Sequence, residues 1–177
     1  MELPKRKNPR LRDYDYSRNN AYFVTICTDN RERLFGEIRR GDPCGRPQME
    51  YTALGKIADR TFLYIEQKYD IILLQYVVMP DHVHAIIIID QNTGVTDSGD
   101  RKGRPYSDYS LSRIIGAYKS IVSSEWLRIC KEKNIAMGKI WQRSYYDHII
   151  RNPRDMQETI KYIYESPIKW YAENVNP

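Results

Sequence analysis

The stretch YVVMPDHVHAIIIID, residues 76–90, decides how the rest of the chain is read. Two apolar, β-branched runs flank the short break Met79-Pro80-Asp81. Runs of this length and composition read as strands, at 71–78 and 82–90. So short a link makes them antiparallel neighbours. His82 and His84 open the second strand, in a chain with 3 histidines. Residues i and i+2 of a strand face the same side, so the two imidazoles project together and Val83 opposes them. Two imidazoles on one face form half of a metal site, imidazole being the commonest metal ligand. Two separately hydrogen-bonded histidines at a strand end would leave the same pattern.

Working outward, AYFVTICT (21–28) is rich in β-branched and aromatic residues and reads as a strand. The stretch GEIRRGDPCGRPQME follows, with turn chemistry at Gly41, Asp42, Pro43 and Gly45. Leu54, Ile57, Ala58, Thr61, Phe62, Ile65 and Tyr69 keep helical spacing, which predicts an amphipathic helix over 52–68. Residues 91–108 have almost no apolar content and read as a long loop. Gly-Arg-Pro occurs at 45–47 and 103–105, too little to establish a repeat. Ser110 can cap a helix to about 133 whose outer face offers Arg113, Lys119 and Arg128. Residues 139–152 read as a strand. Asn152-Pro153 is a helix start, and that helix is expected to run to about Glu165 and stop before Pro167.

The order β, α, β, β, α, β, α predicts an α+β fold, an antiparallel sheet with helices packed on one face. The expected organisation is a basic arm over 1–20, one domain over 21–170 with loop insertions near 41–48 and 91–109, and a tail over 171–177. A chain of 177 residues can bury one proper core. The net charge of +5 is a mild pointer to a polyanionic partner. Cys27, Cys44 and Cys130 form no CxxC pair, so neither a zinc knuckle nor a disulfide framework is suggested. The N-terminus lacks the apolar core of a signal peptide, and no apolar run is long enough to span a membrane. The expectation is a cytoplasmic protein, nucleoid-associated when acting, with no membrane partner.

His148 lies in YYDHIIRN, itself a predicted strand. Were that strand to border 82–90, all three histidines could converge, which would suit a zinc hydrolase. On the last helix, at roughly 100° per residue, Met156, Ile160 and Ile163 define the apolar stripe. Tyr164 lies about 80° from the stripe centre and Tyr162 about 120° from it. The neighbours of Tyr162 are Asp155, Glu158, Thr159, Glu165 and Ser166, a polar face with one aromatic hydroxyl. On geometry alone that pattern is first that of a half-exposed surface tyrosine; the functional alternative is a nucleophile presented toward a metal.

MPDHVH together with WQRSYYDHIIRNPRDMQETIKYIYESPIKW resembles the REP-associated tyrosine transposases. These are relatives of the single-strand transposases of small insertion sequences, within the HUH nuclease superfamily. The resemblance covers most of the chain, from YFVTICT and RLFGEI onward. It implies a ferredoxin-like, RRM-like sheet with His82, Val83 and His84 as the HUH motif. It implies metal-dependent cleavage and rejoining of single-stranded DNA at hairpin-forming repetitive palindromes, through a 5′-phosphotyrosine. The family nucleophile, the first tyrosine of YI-x-x-N-P, maps onto Tyr162; Tyr145 and Tyr146 are weaker candidates. This chain has Ser166 where the family has Asn, a poorer metal ligand, and Glu165, Glu158 or His148 could substitute. Asp81 could orient a histidine. The implied ion is Mg²⁺, with Mn²⁺ substituting. The implied partner is a DNA hairpin with a short unpaired guide sequence. Candidate DNA contacts are Arg10, Arg12, Tyr14, Tyr16, Arg113, Lys119, Arg143 and Arg151. Two other classes stay open, a zinc-type hydrolase using His82, His84 and His148, and a hairpin-binding protein without catalysis. Monomer and homodimer are both open.

Overall fold

The structure, a computed structural model, describes residues 20–41, 47–90 and 110–174. The arm residues Arg10, Arg12, Tyr14 and Tyr16, Cys44 and nearly all of both Gly-Arg-Pro segments lie outside them.

The centre is a four-stranded antiparallel sheet. Its strands are β1 (Asn20–Cys27), β4 (Ile72–Val78), β5 (His82–Ile89) and β6 (Tyr146–Ile150), in the order β4-β5-β1-β6. With α1 (Ala53–Tyr69) between β1 and β4, and α2 (Leu111–Glu132) between β5 and β6, the core has β-α-β-β-α-β connectivity. This is the ferredoxin-like split βαβ arrangement. The fold class is the expected one, and β4 and β5 are the antiparallel neighbours read from their short link.

Alternation along the central strands divides the core in two. Tyr22, Val24 and Ile26 of β1 and Val83, Ala85, Ile87 and Ile89 of β5 pack against α1 and α2. Phe23 of β1 and Ile86 of β5 point the other way, toward Met156, Ile160 and Ile163 of α3 (Pro153–Asn174). The sheet is therefore covered on both sides, with α1 and α2 on one face and α3 on the other, where helices on one face were expected. An apolar stripe shows that a helix buries one side but does not say which sheet face receives it.

A hairpin absent from the sequence reading, β2 (Gly36–Arg40) with β3 (Pro47–Tyr51), precedes α1. Its apolar content is low: Ile38 is buried, and the Arg39–Glu50 pair crosses the strands at 2.9 Å. Thr52 caps α1, its hydroxyl accepting the Gly55 N–H at 3.0 Å. Gly55 is required there, because a Cβ would sit 1.9 Å from the Phe35 carbonyl oxygen. The cap of α3 is the expected one, Asn152 Oδ1 accepting the Asp155 N–H at 2.9 Å.

Two boundaries differ from expectation. The ladder pairing of β6 covers only 146–150, while Trp141 makes a single bridge to Thr28. Residues 142–145 therefore form a loop rather than part of a strand. Helix α3 continues through Pro167 to Asn174, so 171–174 belong to it and not to a tail. Proline removes one intrahelical N–H and usually breaks a helix. Here tertiary ties beyond it hold the last turns. Arg33 lies over the Trp170 ring at 5.5 Å and donates to Asn174 Oδ1 at 2.9 Å. No helix among the described residues is long and apolar enough to cross a membrane.

Candidate active site

His82 and His84 occupy the α3 face of β5, both buried. Antiparallel pairing sets Cys27 opposite His82 and Thr25 opposite His84. The two Nε2 atoms are 2.9 Å apart. Asp81, in the link between β4 and β5, has its side chain 6 % exposed. It accepts from His82 Nδ1 at 2.5 Å and from Arg31 Nε at 3.0 Å. Its backbone carbonyl accepts from the Thr28 N–H and hydroxyl, which fixes the turn. A carboxylate at Nδ1 holds the proton there and leaves Nε2 with a lone pair.

Thr25 Oγ1 lies 2.8 Å from His84 Nδ1. A hydroxyl both donates and accepts. With Thr25 donating, His84 Nε2–H donates to His82 Nε2 and the pair closes on itself. With Thr25 accepting, both Nε2 lone pairs face one another, an arrangement that a cation between them would stabilise. Burial, then the neighbouring His82 and Arg31, pull the His84 imidazole down to about 3, so it is neutral at pH 7.

The donor set tests the implied ion. Two neutral imidazoles suit a borderline ion such as Mn²⁺ better than Mg²⁺, which prefers oxygen. The pair would offer two imidazole nitrogens to such an ion. Among the described residues no group of three or more His, Cys, Asp and Glu side chains is placed to hold one.

Tyr162 projects from α3 beside this pair. Its ring meets His84 edge-on at 5.3 Å and Phe23 at 5.9 Å, and it is 46 % exposed. Lys169 Nζ lies 5.7 Å from the ring centre. Tyr162, His82 and His84 line one open cavity of about 570 Å³. Of the other tyrosines considered, Tyr145 is buried in the α1–α2 core and Tyr146 lines the same cavity. Tyr164 is exposed.

The remaining candidates are placed elsewhere. His148 is on β6, which borders β1 and not β5. It pairs across from Phe23, whose ring stacks on His84 at 5.2 Å, and is itself bound to Asp155 at 3.0 Å. The structure does not bring the third histidine to the pair. Glu158 pairs with Arg154 at 2.9 Å. Glu165 lies between Lys169 and Lys161, and the Lys169 hydrogen bond holds its carboxyl below the usual range. Ser166 is buried and donates to the Tyr162 carbonyl at 2.7 Å.

Lys119 donates to the carbonyls of Gln142 and Ser144 at 2.9 and 2.8 Å, and burial lowers it to about 8. Its observed contacts tie down the 142–144 loop. Arg113 is exposed on α2, which covers the opposite face of the sheet. Arg143 is exposed beside Gln142. Arg151 lines a second cavity of about 380 Å³ with His148, Arg154 and Asp155. Sequence reasoning missed Gln142, Trp170 and Glu173, all of which line the cavity of the histidine pair. Their signal was hidden by the boundary readings at 139–152 and at Pro167.

No family model matches the chain. An uncharacterized Haemophilus influenzae protein is 31% identical over 177 residues, covering 96% of this chain and 92% of its own. The REP-associated tyrosine transposase of Escherichia coli K12 is 30% identical over 96 residues, covering 53% of this chain and 42% of its own length. The solved structure of a REP-associated tyrosine transposase bound to a REP hairpin superposes with a TM-score of 0.53 at 18% identity. That match covers 90% of this chain and 73% of the other, and it speaks for the fold. Over about half of its length the chain is thus similar in sequence to a REP-associated tyrosine transposase, and it shares the fold of another.

Proposed function

We propose that the protein cleaves and rejoins single-stranded DNA at hairpin-forming palindromes, with Tyr162 as nucleophile. The observation that carries this reading is one cavity lined jointly by a half-exposed tyrosine and a buried, carboxylate-oriented histidine pair. The Tyr162 oxygen attacks a phosphodiester phosphorus, forming a P–O bond to the ring as the bond to the 3′ oxygen breaks. The phenolic proton is lost to solvent, and the leaving 3′ oxygen takes one up. The 5′-phosphate stays on Tyr162 until a 3′-OH attacks and restores the diester. This is covalent catalysis that divides one difficult step into two of similar energy.

A free phenol has a pKa of about 10 and is a weak nucleophile at pH 7. His82 and His84 would hold a divalent ion, which when bound would supply Lewis-acid polarisation of the phosphate oxygen. Asp81 keeps the His82 lone pair on Nε2, and Thr25 orients His84. Arg31, also lining the cavity, adds positive charge beside the diester. Lys169 Nζ, 5.7 Å from the Tyr162 ring centre, adds a second positive charge there.

The test uses labelled single-stranded palindromes from the DNA flanking the gene, incubated with protein and Mn²⁺ and run on a denaturing gel. A labelled protein band absent in Tyr162→Phe and His82→Ala is expected. A band persisting in Tyr162→Phe refutes the assignment of the nucleophile.

A second reading, a hairpin-binding protein without catalysis, draws on Ser166. Its hydroxyl is engaged with the Tyr162 carbonyl, and among the described residues no third His, Cys, Asp or Glu side chain completes a metal-holding group with the two histidines. That reading predicts tight hairpin binding and no covalent band with any divalent ion.

A further inference from the structure

The cavity is larger than a phosphodiester and a tyrosine ring require. Beyond the histidine pair and Tyr162, its lining includes Tyr146, Trp170 and Gln142. None of the three is explained by the chemistry assigned to the pair.

Tyr146, the first residue of β6, is 59 % exposed and lines the cavity. Its neighbour Tyr145 is instead buried in the core on the other sheet face. Trp170 sits on the part of α3 that continues past Pro167. Its ring is held by Arg33 on one side and lies 6.0 Å from His82. A large ring so held is a prepared surface. Gln142 is fixed by its N–H to the Cys27 carbonyl at 3.0 Å, and Lys119 pins its own carbonyl. Its side-chain amide offers a donor and an acceptor together.

Two aromatic faces and one amide beside a phosphate-cleaving centre match the chemistry of an unpaired nucleobase. Every base has a π-face that stacks on aromatic rings, and an amide pairs with a donor–acceptor base edge. In a duplex the base is already stacked and paired, so such a pocket selects single strands. We propose that this cavity receives one unpaired nucleobase adjacent to the scissile phosphate, with Tyr146 and Trp170 as stacking walls and the Gln142 amide reading its edge. The inference rests on the single-strand reading above and adds the residues that choose the base at the cleavage point.

The test is a titration of the full chain, ¹⁵N-labelled in its 3 tryptophans, with the trinucleotides dTTT, dAAA and dCCC and with an abasic backbone of equal length. Trp170→Phe assigns the Trp170 indole signal. A saturable shift of that signal is expected with base-bearing trinucleotides and not with the abasic one. Tyr146→Ala weakens binding at least fivefold, and Gln142→Ala changes the ranking of the three bases at least threefold. Both replaced side chains lie at the surface of the cavity, and an unchanged melting temperature shows that each variant is folded. Equal shifts with the abasic backbone, or an unaltered ranking in Gln142→Ala, overturn the proposal.

Tyr162→Phe keeps the base-dependent shift, which separates this test from the covalent one. A covalent band without a base-dependent shift removes the pocket and leaves Tyr162 standing. A base-dependent shift without a covalent band upholds the pocket and removes the cleavage reading.

Discussion

Asp81→Asn separates the orientation of His82 from its presence. The carboxylate accepts from His82 Nδ1 and from Arg31 Nε, with its side chain 6 % exposed. Asparagine has the same shape but one acceptor fewer. Facing its oxygen to Arg31 turns its NH₂ to His82 Nδ1. The ring then moves its proton to Nε2, which removes the lone pair the ion needs. Facing the oxygen to His82 sets NH₂ against a guanidinium. Loss of an orienting carboxylate at a metal-bound histidine costs roughly 10–100-fold in metal affinity. The unpaired buried group costs about 1–3 kcal/mol of stability. For a chain of this size that lowers Tm by about 2–12 °C. The turn itself survives, because Thr28 bonds the Asp81 backbone carbonyl and not its side chain. Mn²⁺ affinity is read by electron paramagnetic resonance of the free ion, and Tm by circular dichroism in EDTA. A folded Asp81→Asn that binds Mn²⁺ within twofold of wild type refutes the orientation argument.

His148→Ala is expected to leave Mn²⁺ affinity within twofold of wild type, because that imidazole is bound to Asp155; a tenfold loss would restore it as a ligand. His84 has a folded pKa of about 3, below the usual 6.5, so the unfolded chain takes a proton that the folded one refuses. Its contribution to stability is present above about pH 6.5 and is lost as pH falls toward 3, by up to about 1.4 kcal/mol per pH unit. Urea unfolding of metal-free protein at pH 6.5, 5.5 and 4.5 should show a shallower loss in His84→Gln than in wild type, and equal slopes contradict this. Gly55→Ala drives a Cβ against the Phe35 carbonyl and should cost about 3 kcal/mol. Gly116→Ala, exposed within α2 with nothing in reach of its Cβ, should stabilise by about 0.5–1 kcal/mol. Urea midpoints check both, and a neutral Gly55→Ala would show that the α1 cap is free to move.

The parts of the site legible in the sequence are those fixed by a local period. His-x-His on a strand is a statement about two residues on one face, and both imidazoles do project together. The 120° offset of Tyr162 is a statement about one helix, and its ring does leave the apolar stripe. What periodicity cannot supply is which elements are neighbours. The convergence of three histidines needed β6 beside β5; β1 lies between them, and Phe23 fills the space. Nor could an apolar stripe tell α3 that it would cover the face opposite α1 and α2.

Pro167 illustrates the same divide from the energetic side. Locally it argues for a stop, since it removes the N–H that would bond the Ile163 carbonyl and strains the preceding turn, a cost of about 3 kcal/mol in a helix interior. The helix continues because contacts remote in sequence offset that cost. Arg33 holds both the Trp170 ring and the Asn174 amide. The extension carries Trp170 and Glu173 to the histidine pair. A helix that ended at its local signal would leave the cavity open on that side. The expensive proline turn thus lies between Tyr162 and Trp170, the proposed nucleophile and the proposed base wall. Pro167→Ala should raise Tm while altering the base ranking of the Trp170 titration. A higher Tm with an unchanged ranking would mean that the proline does not shape the pocket.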